Sequence, residues 1–151
     1  MKIDQEIQSE FKNSMHRAVV NVRYTSNVLA SRQHKYMSTF GLSLPQFNIL
    51  RILRGAKKMI SVNSIKERMV EKSPNTTRLM DKLLEKELIV RERCEGDRRI
   101  VYAEISKKGL KLLSQIDDAF SNEDENIEMV PKSLTSEEAD QLSDLLDKLR
   151  S

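Results

Sequence analysis

The feature that most constrains this chain is the stretch from Ser73 to Gly109, where a helical pattern gives way to two strands around a charged turn. It reads SPNTTRLMDKLLEKELIVRERCEGDRRIVYAEISKKG. Ser73 can cap a helix, Pro74 suits its first turn, and Asn75, Thr77 and Arg78 follow at once. Leu88 to Arg93 and Ile100 to Ile105 have strand character, and the turn between them holds Glu95, Gly96, Asp97, Arg98 and Arg99. Groove-sized polar residues at the start of a helix, beside a hairpin tipped with arginines, point to duplex DNA as the partner.

The charge distribution agrees. Residues 42–109 carry 16 Lys/Arg against 9 Asp/Glu, whereas residues 110–151 carry 4 against 11 and residues 1–41 carry 6 against 3. A basic centre followed by an acidic tail places the polyanion-facing surface in the middle of the chain. No apolar run approaches a membrane span, and the N-terminus lacks a basic-then-apolar signal pattern. Cys94 is the one cysteine, so an internal disulfide is excluded; a cytoplasmic protein is expected.

Around the central unit the pattern is helical. Ile3, Ile7, Phe11, Met15, Val19 and Val22 recur at helical spacing, predicting one long helix from residue 2 to about 37, ended by Gly41. Ser43 with Gln46 forms a capping-box pattern for a second helix burying Phe47, Leu50 and Leu53, with Gly55 placed to stop it. Ser61 caps a third, short helix with Val62, Ile65 and Met69 inward. After the hairpin, Ser106 caps a helix with Leu110, Leu113, Ile116 and Phe120 inward, and a break falls near Pro131. Thr135 with Glu138, a second capping box, opens a last helix expected to bury Ala139, Leu142, Leu146 and Leu149. The expected fold is therefore mainly α with a small β-hairpin wing: a winged helix-turn-helix at residues 42–109, between helical dimerisation arms at 1–41 and 110–151. Apolar stripes on those arms exceed what a small winged helix can cover, so arms from two chains are expected to bury each other. Folding back within a monomer is the alternative.

Leu83 through Arg91, the Asp97-Arg98-Arg99 turn and the Ile105-Ser106-Lys107-Lys108-Gly109 segment together resemble the MarR family of bacterial transcriptional regulators. The resemblance is residue-specific from Ser61 to Gly109 and architectural over nearly the whole chain. It implies an obligate homodimer on a pseudo-palindromic operator in double-stranded DNA, often a repressor relieved by a small-molecule effector or an oxidant. The family commonly ends its recognition helix on Gly, where this chain has Glu87. A left-handed turn at Glu is strained, so a different helix end is expected.

On a helical wheel Thr76, Leu79, Met80, Leu83 and Leu84 face inward, while Ser73, Thr77, Arg78, Asp81, Lys82 and Glu85 face outward, with Asn75 on the flank. Asp81 and Glu85 repel phosphates, so only the N-terminal half of the helix is expected in the groove. The expected DNA-binding residues are Ser73, Asn75, Thr77, Arg78, Lys82 and Arg98. Arg78 suits guanine, Asn75 adenine and Thr77 a thymine methyl or a phosphate. By the resemblance, Asp97 pairs with an arginine to hold the wing; Arg99 is assigned that structural role and Arg98 the minor groove.

An effector pocket between the arms and the winged helix would draw on His16, Arg17, Tyr24, Tyr36 and Phe40, a set that equally describes a helix-packing seam. Cys94, flanked by Arg93 and Glu95, is read as an incidental thiol rather than an oxidant sensor. His16 and His34 do not make a metal site with one cysteine, and no cofactor is expected. No phosphate-binding glycine loop or nucleophile motif is present, so an enzyme is not expected. The competing function is a winged-helix protein-interaction adaptor without sequence-specific DNA binding, which lacks the steep salt dependence of phosphate neutralisation.

Overall fold

The computed structural model describes residues 2–71, 75–97, 99–121 and 133–151. The elements run α1 (Ile3–Glu6), α2 (Ser14–Thr39), α3 (Leu44–Ala56), β1 (Ile60–Ser61), α4 (Val62–Arg68), α5 (Thr76–Glu85), β2 (Ile89–Arg93), β3 (Val101–Ile105), α6 (Lys107–Ser121) and α7 (Ser136–Arg150). A mainly α winged helix-turn-helix with a small antiparallel sheet results, as the sequence predicts.

The N-terminal arm departs from the expected continuous helix. Gln8 takes a positive φ of 50°, and Asn13 caps α2 by accepting the His16 N–H at 2.8 Å. A side-chain cap competes locally with the helical ladder, so the chain restarts at Ser14 rather than running through. The short α1 folds back on α2: Arg17 pairs with Asp4 at 2.8 Å, and Tyr24 donates its hydroxyl proton to Glu6 at 3.1 Å. That bond to a carboxylate is the main cause of a raised Tyr24 pKa, because the phenol proton is held.

Both capping boxes form. Ser43 and Gln46 satisfy each other's backbone N–H groups at the start of α3, and Thr135 and Glu138 do so for α7. Ser61 caps α4 by accepting the Ser64 N–H at 3.1 Å. The stop of α3 falls at Lys57, in the left-handed region at φ 54°, rather than at Gly55.

Core packing centres on α3. Ile49, Leu50 and Leu53 are fully enclosed against Ile65, Met80, Leu83, Ile89, Leu113 and Ile116. Each such aliphatic side chain stabilises the fold by about 1.5–3 kcal/mol through removal from water. The sheet order is β1-β3-β2; Ala103 at its centre is opposite Ile60 on one side and Arg91 on the other. The two-residue β1 was unforeseen, because Ser61 serves both as strand end and helix cap.

Some inward assignments do not hold. Leu84 is 37% exposed, and in α6 Leu113 and Ile116 are buried while Leu110 and Phe120 are 43% and 38% exposed. No residue of α7 is buried. The break expected near Pro131 lies outside the described residues.

The junction of α5, β2 and α6 corrects the expectation for Glu87. This residue does adopt the left-handed conformation, at φ 59°. The Glu87 N–H reaches the Leu84 carbonyl at 2.8 Å and the Leu88 N–H the Leu83 carbonyl at 2.9 Å, closing a Schellman motif with Leu83 and Leu88 buried. Ser106 donates its hydroxyl to the Glu87 carbonyl at 2.7 Å and accepts the Gly109 N–H at 3.0 Å. Lys108 pairs with the Glu87 carboxylate at 2.9 Å. That hydrogen bond, then the ammonium charge, lowers the Glu87 pKa. Strain at one residue is offset by contacts from a segment nearly twenty positions away, which periodicity does not register.

Candidate nucleic-acid interface

Thr76 fixes how α5 is presented. Its hydroxyl donates to the buried Met69 sulfur at 3.6 Å, tying the start of α5 to the end of α4. With Thr76, Met80 and Leu83 facing the core, Thr77, Arg78 and Lys82 stand on the exposed side, and Asn75 occupies the exposed N-cap position. A basic and hydroxyl-bearing helix surface is thus held by three buried residues one turn apart. Ser73 lies outside the described residues, as does Pro74.

The wing turn is closed by its backbone. The Cys94 N–H reaches the Ile100 carbonyl and the Ile100 N–H the Asp97 carbonyl, both at 2.9 Å. Asp97 accepts the Arg99 N–H through its carboxylate at 3.0 Å, an Asx-type contact. The expected pairing of Asp97 with the Arg99 side chain is therefore replaced, at Arg99, by a contact to its main chain. Arg98 lies outside the described residues. The Arg99 side chain instead borders a cleft of about 240 Å³ between α4, α5 and the sheet, along with Lys66, Thr77, Met80 and Arg91. Cys94, where β2 ends and the wing turn begins, is a half-buried free thiol.

Two of these residues, Lys66 and Arg91, carry no role in the sequence reading. Arg91 was within reach of it: Ile89 is buried, and period-two alternation puts Arg91 on the same side of β2. There it binds Asp81 of α5 at 2.7 Å. Asp81 is therefore ion-paired within the protein on the exposed side of α5.

The candidate effector residues do not converge. His16 meets Phe11 edge-on at 5.6 Å, and Arg17 and Tyr24 bind α1. Tyr36 and Phe40 pack together at 5.4 Å and join Phe120, 5.2 Å from Tyr36, and Phe47, 6.4 Å from Phe120. His16 and Tyr36 are about 30 Å apart along one helix at 1.5 Å per residue, so the five cannot line one pocket in one chain. Among the described residues no group of three or more His, Cys, Asp and Glu is placed to hold a metal, and no helix is long and apolar enough to cross a membrane.

Comparison with known proteins agrees with this geometry. Residues 42–101 match the model of the MarR family. The HTH-type transcriptional regulator MhqR of Bacillus subtilis is 28% identical over 118 residues, covering 77% of each chain. A cysteine-to-serine mutant of MarR from E. coli, solved in complex with operator DNA, superposes with a TM-score of 0.76 at 23% identity, covering 93% of this chain and 99% of that one. An organohalide-sensing transcriptional regulator, solved with 2,4-dichlorophenol bound, gives a TM-score of 0.77 at 19% identity, covering 95% of this chain and 85% of that one. At these identities the two solved structures speak to the fold.

Proposed function

We propose that this chain, whose residues 42–101 match the MarR family model, is a winged-helix transcriptional regulator of that family and that two copies of it bind a pseudo-palindromic operator sequence-specifically. The observation that carries the reading is the pairing of an exposed Thr77–Arg78–Lys82 surface on α5 with an Arg-tipped wing across one basic cleft. The N-terminal half of α5 enters the major groove, with Asn75, Thr77 and Arg78 at the base edges and Lys82 toward phosphates, and Ser73 keeps the DNA-contact role its sequence position suggests. Arg98 reaches the adjacent minor groove while Asp97 and Arg99 hold the wing.

The homodimer is supported by apolar surface that one chain leaves uncovered. Met15, Val19 and Val22 on α2 are 62%, 40% and 38% exposed, and Leu142, Leu145 and Leu149 on α7 are 46%, 64% and 42% exposed. Stripes of this kind mark an association surface. The regulator is read as a repressor modulated by a small molecule; the 2,4-dichlorophenol-bound relative and the Tyr36–Phe40–Phe120 cluster beside the arm support that part.

Selection of bound sequences from random duplex DNA tests the reading. A two-fold motif with half-sites about one helical turn apart is expected. Arg78→Ala should relax preference at one base, costing about 1–3 kcal/mol there, and Arg98→Ala should weaken binding and lower its salt dependence. Recovery of no preferred sequence, or wild-type affinity in both variants, refutes it.

A further inference from the structure

We infer that the Asp81–Arg91 ion pair is a positioning device that sets the wing relative to α5, and that neither residue is itself a DNA contact. The inference rests on the DNA-reading function proposed above. Asp81 lies one helical turn after Thr77 on the groove-facing side of α5, and Arg91 lies midway along β2, the strand that leads to the wing tip. Their side chains meet at 2.7 Å, with 47% and 30% exposure. Arg91 lines the same cleft as Thr77 and Arg99, so it bridges the two surfaces that would contact adjacent grooves.

Three features separate this from a charge placed for DNA. An acidic residue on a polyanion-facing helix is counterproductive unless it serves the protein. Its ion-pair partner, Arg91, comes from the other contacting element and not from its own helix, where a pair would only support α5. Arg91 is opposite the buried Ala103 on the central strand, so its backbone is anchored and its side chain transmits that anchorage. The pair therefore fixes the angle between helix and wing, and with it the separation between major-groove and minor-groove contacts.

The test uses the full-length protein and a duplex recovered from a random pool, with Asp81→Asn, Arg91→Gln and the double variant. Asp81→Asn removes a negative charge beside DNA, so electrostatics alone predicts equal or tighter binding. Positioning predicts the opposite: each single variant binds about three- to tenfold more weakly, and the double is no weaker than either alone. Footprinting should lose minor-groove protection while major-groove protection persists, a split that general destabilisation does not produce. Circular dichroism and thermal unfolding of the free variants confirm that they are folded. Tighter or unchanged binding by Asp81→Asn, additive losses, or equal loss of both footprints overturns the inference. If the wild type itself recovers no duplex, the DNA-reading function fails instead.

Discussion

Gly109→Ala should destabilise the protein, although replacing a helical glycine ordinarily does the reverse. A Cβ at residue 109 would lie 2.3 Å from the Leu88 carbonyl oxygen, 2.8 Å from the Ile105 Cγ1 and 3.2 Å from the Leu88 carbonyl carbon. Ordinary contact requires retreat by roughly 1 Å. The Leu88 carbonyl cannot retreat freely, because it accepts the Ser106 N–H at 3.0 Å while the Leu88 N–H completes the Schellman motif at 2.9 Å. Overpacking costs about 1–3 kcal/mol. Loss of the Ser106-to-Leu88 bond adds about 1 kcal/mol. The helix-propensity gain of alanine returns about 1 kcal/mol. A net loss of about 1–3 kcal/mol follows, read as a lower urea midpoint with an unchanged slope. Gly55→Ala supplies the internal control. A Cβ there meets nothing within 4 Å, so the same change should raise the midpoint, by about 0.5–1 kcal/mol. A Gly109→Ala midpoint equal to or above wild type would refute the argument from close approach.

Other outcomes follow from separate parts of the molecule. Leu145→Glu places a charge on the most exposed leucine of α7 and should shift the proposed dimer toward monomer in sedimentation equilibrium; an unchanged assembly state counts against the arm-to-arm reading. The lowered Glu87 pKa means its pairing with Lys108 contributes stability above the carboxylate's unfolded pKa and loses it as pH falls through the folded one. Lys108→Met should therefore move the NMR titration of the Glu87 carboxyl upward, and unaltered titration would remove the pair as the cause.

Features determined by near neighbours were legible in the sequence. Both capping boxes link residues three apart, and β2 and β3 announce themselves by composition next to an obvious turn. Thr76, Met80 and Leu83 face inward as their spacing requires, but Leu84, at the edge of the stripe, does not. Legibility failed where a distant segment decides. Glu87 accepts a left-handed φ because Ser106 and Lys108 meet it from α6's N-terminus, and the break after α1 depends on Asn13 acting as a cap inside an otherwise periodic run. At the candidate interface the exposed face of α5 could be read directly. The Asp81–Arg91 contact could not, since it needs both the helix register and the strand direction. The effector candidates scattered because aromatic and basic residues spread along one long helix share an element without sharing a location.

Arg54 and Asp117 tie α3 to α6. Two guanidinium nitrogens of α3 grip both carboxylate oxygens of α6, at 2.5 and 3.4 Å, while Lys86 at the far end of α5 holds the Gly41 carbonyl between α2 and α3. Exposed contacts of this kind are worth about 0–1 kcal/mol each, so they bias how the central lobe seats on its helical shafts, and leaning the α2 shaft loads the Lys86 contact, which ends on the element carrying Arg78.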